Sequence, residues 1–218
     1  MDISSFIQNI CIYALPVLFA ITLHEAAHAY AARHFGDPTA YLMGRMTLNP
    51  IKHIDPLGTI ALPLLCLLLP GSFLFGWAKP VPVNFGDLRN PKKDMRWVAL
   101  AGPAANLIMM LLWTVVLGLL LHAAEGDFAY PLRQMAQAGV QINIVLMILN
   151  LIPIPPLDGG RVLISLLPVN AARQVARIEP YGMIVLLVLM FTKVLFFIMA
   201  PFMGVFYLLV NNILRLFA

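Results

Sequence analysis

Apolar residues run along this chain in blocks of about twenty, the length that crosses bilayer hydrocarbon, punctuated by Pro, Gly and Asp. The first block extends from about Phe6 to His34 and stops at Gly36-Asp37-Pro38. The segment from Tyr41 to Pro56 is more polar and reads as interfacial, with breakers at Gly44, Asn49-Pro50 and Asp55-Pro56. A second apolar run, Leu57 to Trp77, is interrupted by Pro63 and by Pro70-Gly71. The basic, Pro-rich stretch from Lys79 to Arg96 precedes the third, Trp97 to about His122, and a short acidic loop, Ala123 to Pro131, precedes the fourth, Leu132 to about Leu167. Polar residues from Asn170 to Pro180 lead to a fifth, Tyr181 to Met199, and Pro201 opens a sixth that ends near Arg215. The pattern predicts an all-α membrane protein, a polytopic helix bundle of about five to six hydrophobic segments.

The fourth run does not read as one continuous helix. Pro153, Pro155, Pro156 and Asp158-Gly159-Gly160 fall in its middle. Each proline removes a backbone donor and the glycines permit close backbone approach, so the chain must unwind here and expose carbonyl and amide groups. Unwound backbone at membrane depth survives only where it is buried in protein or lines a wet cavity. A break of this kind inside a span therefore marks a place where something polar happens.

Composition narrows the picture further. Of 218 residues, 61% are hydrophobic and 11% charged, with a mean hydropathy of +0.87. A soluble domain carries about 25% charged residues, so a water-soluble globule is excluded. The net charge of +4 does not call for nucleic acid, because the 14 Lys and Arg residues are scattered over loops and helix ends, as the positive-inside rule produces. Cys11 and Cys66 both lie in apolar runs, which excludes a disulfide framework and a Cys-based metal cluster. Residues Met1 to Gln8 lack a basic n-region, so the first run reads as a retained span and not as a cleavable signal.

The first span holds His24-Glu25-Ala26-Ala27-His28. On a helix, residues four apart share a face, so both imidazoles reach one metal ion while the glutamate between them sits beside a metal-bound water. A charged group at the bilayer centre costs about 2.5–3.5 kcal/mol even on the lenient insertion scale, which argues against an idle glutamate here. A catalytic zinc takes three protein ligands, and Asp158, lodged in the broken run, fits the third. Its other reading is a carboxylate neutralised by Arg161 at a helix end. Asn106 and Asn150 are buried amides able to hold substrate or the active-site loop, unless they only join helices by hydrogen bonds. Asn49, His53 and Asp55 form a weaker cluster beside the first span, where His53 either approaches the metal or a peptide, or is an interfacial loop histidine.

HEAAH on the first span and Asn150-Leu-Ile-Pro-Ile-Pro-Pro-Leu-Asp158-Gly159-Gly160 on a later one resemble the site-2 protease family of intramembrane zinc metalloproteases. Gly102-Pro103-Ala104-Ala105-Asn106 resembles that family's GPxxN element, and the short loop before the fourth run is similar to the core-only branch without PDZ or CBS domain. The resemblance implies one Zn2+ held by His24, His28 and Asp158, with Glu25 catalytic on the attacking water. It implies Asn106 and Asn150 as substrate-binding residues, and peptide-bond hydrolysis in or near transmembrane segments of membrane-protein or peptide substrates. A single membrane-embedded domain over 1–218 follows, with a catalytic core at about 10–168 and a C-terminal helix pair at about 181–217. The lipid bilayer is a partner, nucleic acid is not, and oligomeric state stays open. The expected place is a multi-pass one in the cell membrane, a bacterial cytoplasmic membrane with the active site towards the cytoplasm. Parity then requires Leu57–Trp77 to be a re-entrant hairpin turning near Pro63 or Pro70-Gly71, with Lys79 on the cytoplasmic side and Glu125 and Asp127 outside. Rival classes are a catalytically silent metal-binding protein, a zinc transporter, and a di-iron oxygenase. The last would need about eight clustered histidines where five exist. A transporter would not need a glutamate between the histidine pair.

Overall fold

A computed structural model describes residues 3–61, 64–65, 76–122, 126 and 128–217. Among them no strand occurs, and the helices account for the predicted bundle. Helix α1 (Ile3–Phe35) continues through Pro16 and ends where Gly36 takes a positive φ of 115°, a conformation that glycine adopts without strain. Asp37, fully buried, then accepts the Thr39 N–H at 2.9 Å and starts the short α2 (Thr39–Leu42). Helix α3 (Pro91–His122) and helix α4 (Ala129–Asn150) form the other two long members of the core, and α3 packs against both α1 and α4. Buried Ala20, Ala26, Ala29 and Ala32 along α1 keep its surface flat enough for such close approach. Met110, Val140, Ile144, Met147 and Ile148 make the apolar centre between α3 and α4.

The fourth run breaks where the prolines predict. Helix α4 stops at Asn150, seven residues of turns follow, and α5 (Asp158–Leu166) begins at the carboxylate. Gly159 lies so close to the carbonyl of Leu151 that a Cβ would collide with the backbone. Two shorter helices, α6 (Val169–Ala176) and α7 (Glu179–Phe191), are bent by 61° against each other. The last, α8 (Val194–Leu214), packs on α3 and α4. Among the described residues four helices are long and apolar enough to cross a membrane, or five with the bent pair counted as one span.

One boundary differs from the sequence reading. Pro201, expected to open the last span, sits inside α8, and the break falls at Thr192-Lys193. Lys193 has a left-handed φ of 62°, and its backbone N–H closes on Met190 O at 3.0 Å, so a helix C-cap forms at the polar pair. The turn expected near Pro63 or Pro70-Gly71 and the loop bearing Glu125 and Asp127 lie outside the described residues. The two ends of the Leu57–Trp77 run do meet: Trp77 N donates to Gly58 O at 3.0 Å and Thr59 Oγ1 to Trp77 O at 2.8 Å. The described ends of the run therefore lie side by side.

Residues 76–84 are neither helix nor strand and form a strap along α1, bonded to Glu25 and, just past the helix, to Asp37. Lys79 N bonds His53 O at 3.0 Å, Arg45 Nη2 reaches Lys79 O at 2.9 Å, and Asn84 N reaches Asp37 Oδ2 at 2.7 Å.

Candidate metal centre

His24 and His28 project from one face of α1, and the start of α5 brings Asp158 to them. His24 Nε2 and His28 Nε2 are 3.1 Å apart, and each is 3.3 Å from Asp158 Oδ2. Among the described residues these three form the group able to hold a metal ion. Their far ring atoms fix their polarity. His28 Nδ1 lies 2.8 Å from Val98 O, and a carbonyl can only accept, so the proton sits on Nδ1. His24 Nδ1 lies 2.6 Å from Asn106 Oδ1 and donates likewise. Both Nε2 atoms then present lone pairs, and Asp158 Oδ2, buried with no hydrogen-bond donor, faces them. With both imidazoles neutral, three acceptor atoms converge, an arrangement that a metal ion satisfies.

The spacing fits zinc. Ligand bonds of about 2.0–2.1 Å at tetrahedral angles hold ligand atoms about 3.3–3.4 Å apart, close to the separations found. Imidazole and carboxylate donors suit the same ion. Arg161 does not neutralise Asp158; its guanidinium pairs with Glu179 at 3.0 Å and lies over the Phe85 ring.

Glu25 stands beside this group, and its Oε2 accepts the Val81 N–H at 2.7 Å. In Pro80-Val81-Pro82 only the valine has an amide hydrogen, so the strap delivers one donor to the glutamate. Gly102 on α3 lies against both histidine rings, and a Cβ there would strike His28 Nε2 and His24 Cε1. In the sequence this glycine shows as the first residue of the GPxxN-like element, without a stated role.

The two asparagines part company. Asn106 is fully buried, with Oδ1 on His24 Nδ1 and Nδ2 on Ala20 O at 3.3 Å and on Asn143 Oδ1 at 2.9 Å. Its oxygen and its amide nitrogen are thus engaged within the protein. Asn150, half-buried at the end of α4, gives one N–H to Leu146 O at 3.0 Å, and its second carries no bond among the described residues. Asn143, fully buried, is a third amide that the sequence reading omits; a lone polar residue among Ile142, Ile144 and Val145 is the available signal. His53 stays outside the metal group. Its ring is buried with Nε2 donating to Thr47 O at 2.9 Å, while Asn49 Oδ1 and Asp55 Oδ1 cap local turns, so this cluster shapes the loop.

Residues 121–193, which include Asp158, match the model of Peptidase family M50. Over 194 residues the chain is 40% identical to the Bacillus subtilis protein named "Putative zinc metalloprotease YwhC", covering 87% of this chain and 84% of that one. The chain belongs to peptidase family M50. This is the site-2 protease family that the two motifs resemble, and the M50 chain is accordingly a multi-pass membrane metalloprotease. Proteins named "Putative zinc metalloprotease Rip2" are 34% identical over 182 residues in Mycolicibacterium smegmatis and 33% over 176 residues in Mycobacterium tuberculosis. The matches cover 82% and 79% of the M50 chain, but 66% and 63% of the two Rip2 proteins, which are longer. No solved structure matches.

Proposed function

We propose that this M50 chain is an intramembrane zinc metalloprotease that hydrolyses peptide bonds in or near transmembrane segments of membrane proteins. The observation that carries the reading is the convergence of His24 Nε2, His28 Nε2 and Asp158 Oδ2 within 3.3 Å of one another, inside a bundle of apolar helices. In this reading the three hold one zinc ion. Zinc, when bound, supplies Lewis acidity, lowering the pKa of a water towards about 7 and polarising a carbonyl.

The chain's own groups do the rest. Glu25 takes the proton of the attacking water with its carboxylate and later passes it to the leaving amine. The Val81 N–H holds one carboxylate oxygen and leaves the other for that proton. Asn150, with its uncommitted N–H, binds the substrate beside the break. A transmembrane helix hides its carbonyls in its own hydrogen bonds, so substrate must be held extended before attack, and polar groups at depth serve that end. The reading places the chain in a bacterial cytoplasmic membrane, as its relatives are bacterial, with the centre towards the cytoplasm. The test is cleavage of single-span model substrates in lipid vesicles by the wild type and by Glu25→Gln. Cleavage by the wild type alone supports the reading, and equal cleavage by both overturns the role of Glu25.

A further inference from the structure

The amide of Asn143, in the middle of α4, has its orientation set by the backbone. Its Nδ2 donates to Gly139 O at 2.8 Å, and since a carbonyl only accepts, Oδ1 is turned the other way, towards Asn106. Asn106 must then offer its NH2 on that side, to Asn143 Oδ1 at 2.9 Å and Ala20 O at 3.3 Å. Its own Oδ1 is thereby turned to His24 Nδ1 at 2.6 Å. Each bond dictates the polarity of the next, from the Gly139 carbonyl to the imidazole. A reversed Asn106 amide would present N–H to Nδ1 and move the ring proton to Nε2. That nitrogen faces His28 and Asp158, and a protonated nitrogen cannot ligate a metal. Both asparagines are fully buried, so no water competes for these bonds.

We infer that Asn143 is a positioning residue for the metal centre: acting through Asn106, it locks His24 in the tautomer whose Nε2 binds zinc. This rests on the reading of His24, His28 and Asp158 as zinc ligands. Outer partners of ligating histidines are typically worth about 10–100-fold in metal affinity, and here the partner is a relay of two amides where a carboxylate or a single carbonyl is usual.

The test measures zinc affinity of the full chain by competition with a chromophoric chelator, together with the visible spectrum of the cobalt-substituted protein. The variants are Asn143→Leu, close to the amide in volume, and Asn143→Ala as a milder second. Thr114→Val is the control, since it removes another fully buried polar bond, Thr114 Oγ1 to Met110 O at 2.8 Å, that does not lead to His24. The expected result is about 10–100-fold weaker zinc binding with altered cobalt bands in the Asn143 variants. Thr114→Val should lower the unfolding temperature and leave both metal readouts at wild type. Unchanged zinc affinity and cobalt spectra in the Asn143 variants, with one zinc per wild-type chain, would overturn the relay while sparing the ligand reading. Equal loss in Thr114→Val would overturn it too, and a wild type that takes up no zinc would overturn both.

Discussion

Two imidazoles and a carboxylate bring their ring nitrogens and one carboxylate oxygen within 3.3 Å of one another, the donor set a zinc ion takes, and the expected role of each neighbour follows from that. Replacing Asp158 or His28 by Ala removes a ligand, and zinc content by elemental analysis should fall from one per chain towards zero. Glu25→Gln keeps the ligands, so zinc should stay stoichiometric while turnover drops by about 10²–10⁴-fold, the worth of a general base. Gly102→Ala places a methyl where His28 Nε2 and the His24 ring already lie, so zinc content and activity should fall together despite the mildness of the change. The pairing of His24 with His28 is legible in sequence because helical spacing fixes which side chains share a face, and Asp158 because it is the carboxylate lodged in the broken run. Gly102 is legible only as part of the GPxxN-like element and Asn143 not at all, because what they touch lies across helices, on α1 and α3, and no local pattern encodes it. Asn106 is legible as important but not in what it does, since a buried amide looks the same in sequence whether it faces a peptide or the ring of a metal ligand.

The elements that matter most are the two irregular ones. The break before α5 is legible because proline and glycine chemistry is local, and Gly159 has no room for a side chain against Leu151 O. Gly159→Ala should destabilise by about 1–3 kcal/mol, read as a lower unfolding temperature of the zinc-free protein. The strap at 76–84 shows in sequence only as a basic, Pro-rich stretch, since irregular backbone carries no periodicity. Its donor to Glu25 is the one amide hydrogen in Pro80-Val81-Pro82. Val81→Pro should lower kcat with zinc retained, whereas Val81→Ala, which keeps the hydrogen, should have much less effect. Pro201 shows the opposite failure. A proline inside a membrane helix is tolerated when neighbours satisfy the freed carbonyl, so its presence does not locate the break, and the polar Thr192-Lys193 pair does.

For the whole molecule, α3 packs against α1, α4, α5 and α8, and the metal group lies where α1 and α5 both meet α3. The bonds from Trp77 to Gly58 and Thr59 hold Lys52 and Lys79 on one side, so cysteines introduced there should react with an impermeant reagent from the same face of sealed vesicles. A cysteine at Gly126, between α3 and α4, should react from the other face. The claim on which all else depends is that His24, His28 and Asp158 together hold zinc. Its most direct measurement is X-ray absorption at the zinc edge of the purified wild-type chain. The account predicts one zinc per chain in a shell of nitrogen and oxygen at about 2.0–2.1 Å, with the imidazole scattering of two histidines. A sulfur shell near about 2.3 Å, a single imidazole, or no zinc at all would contradict it.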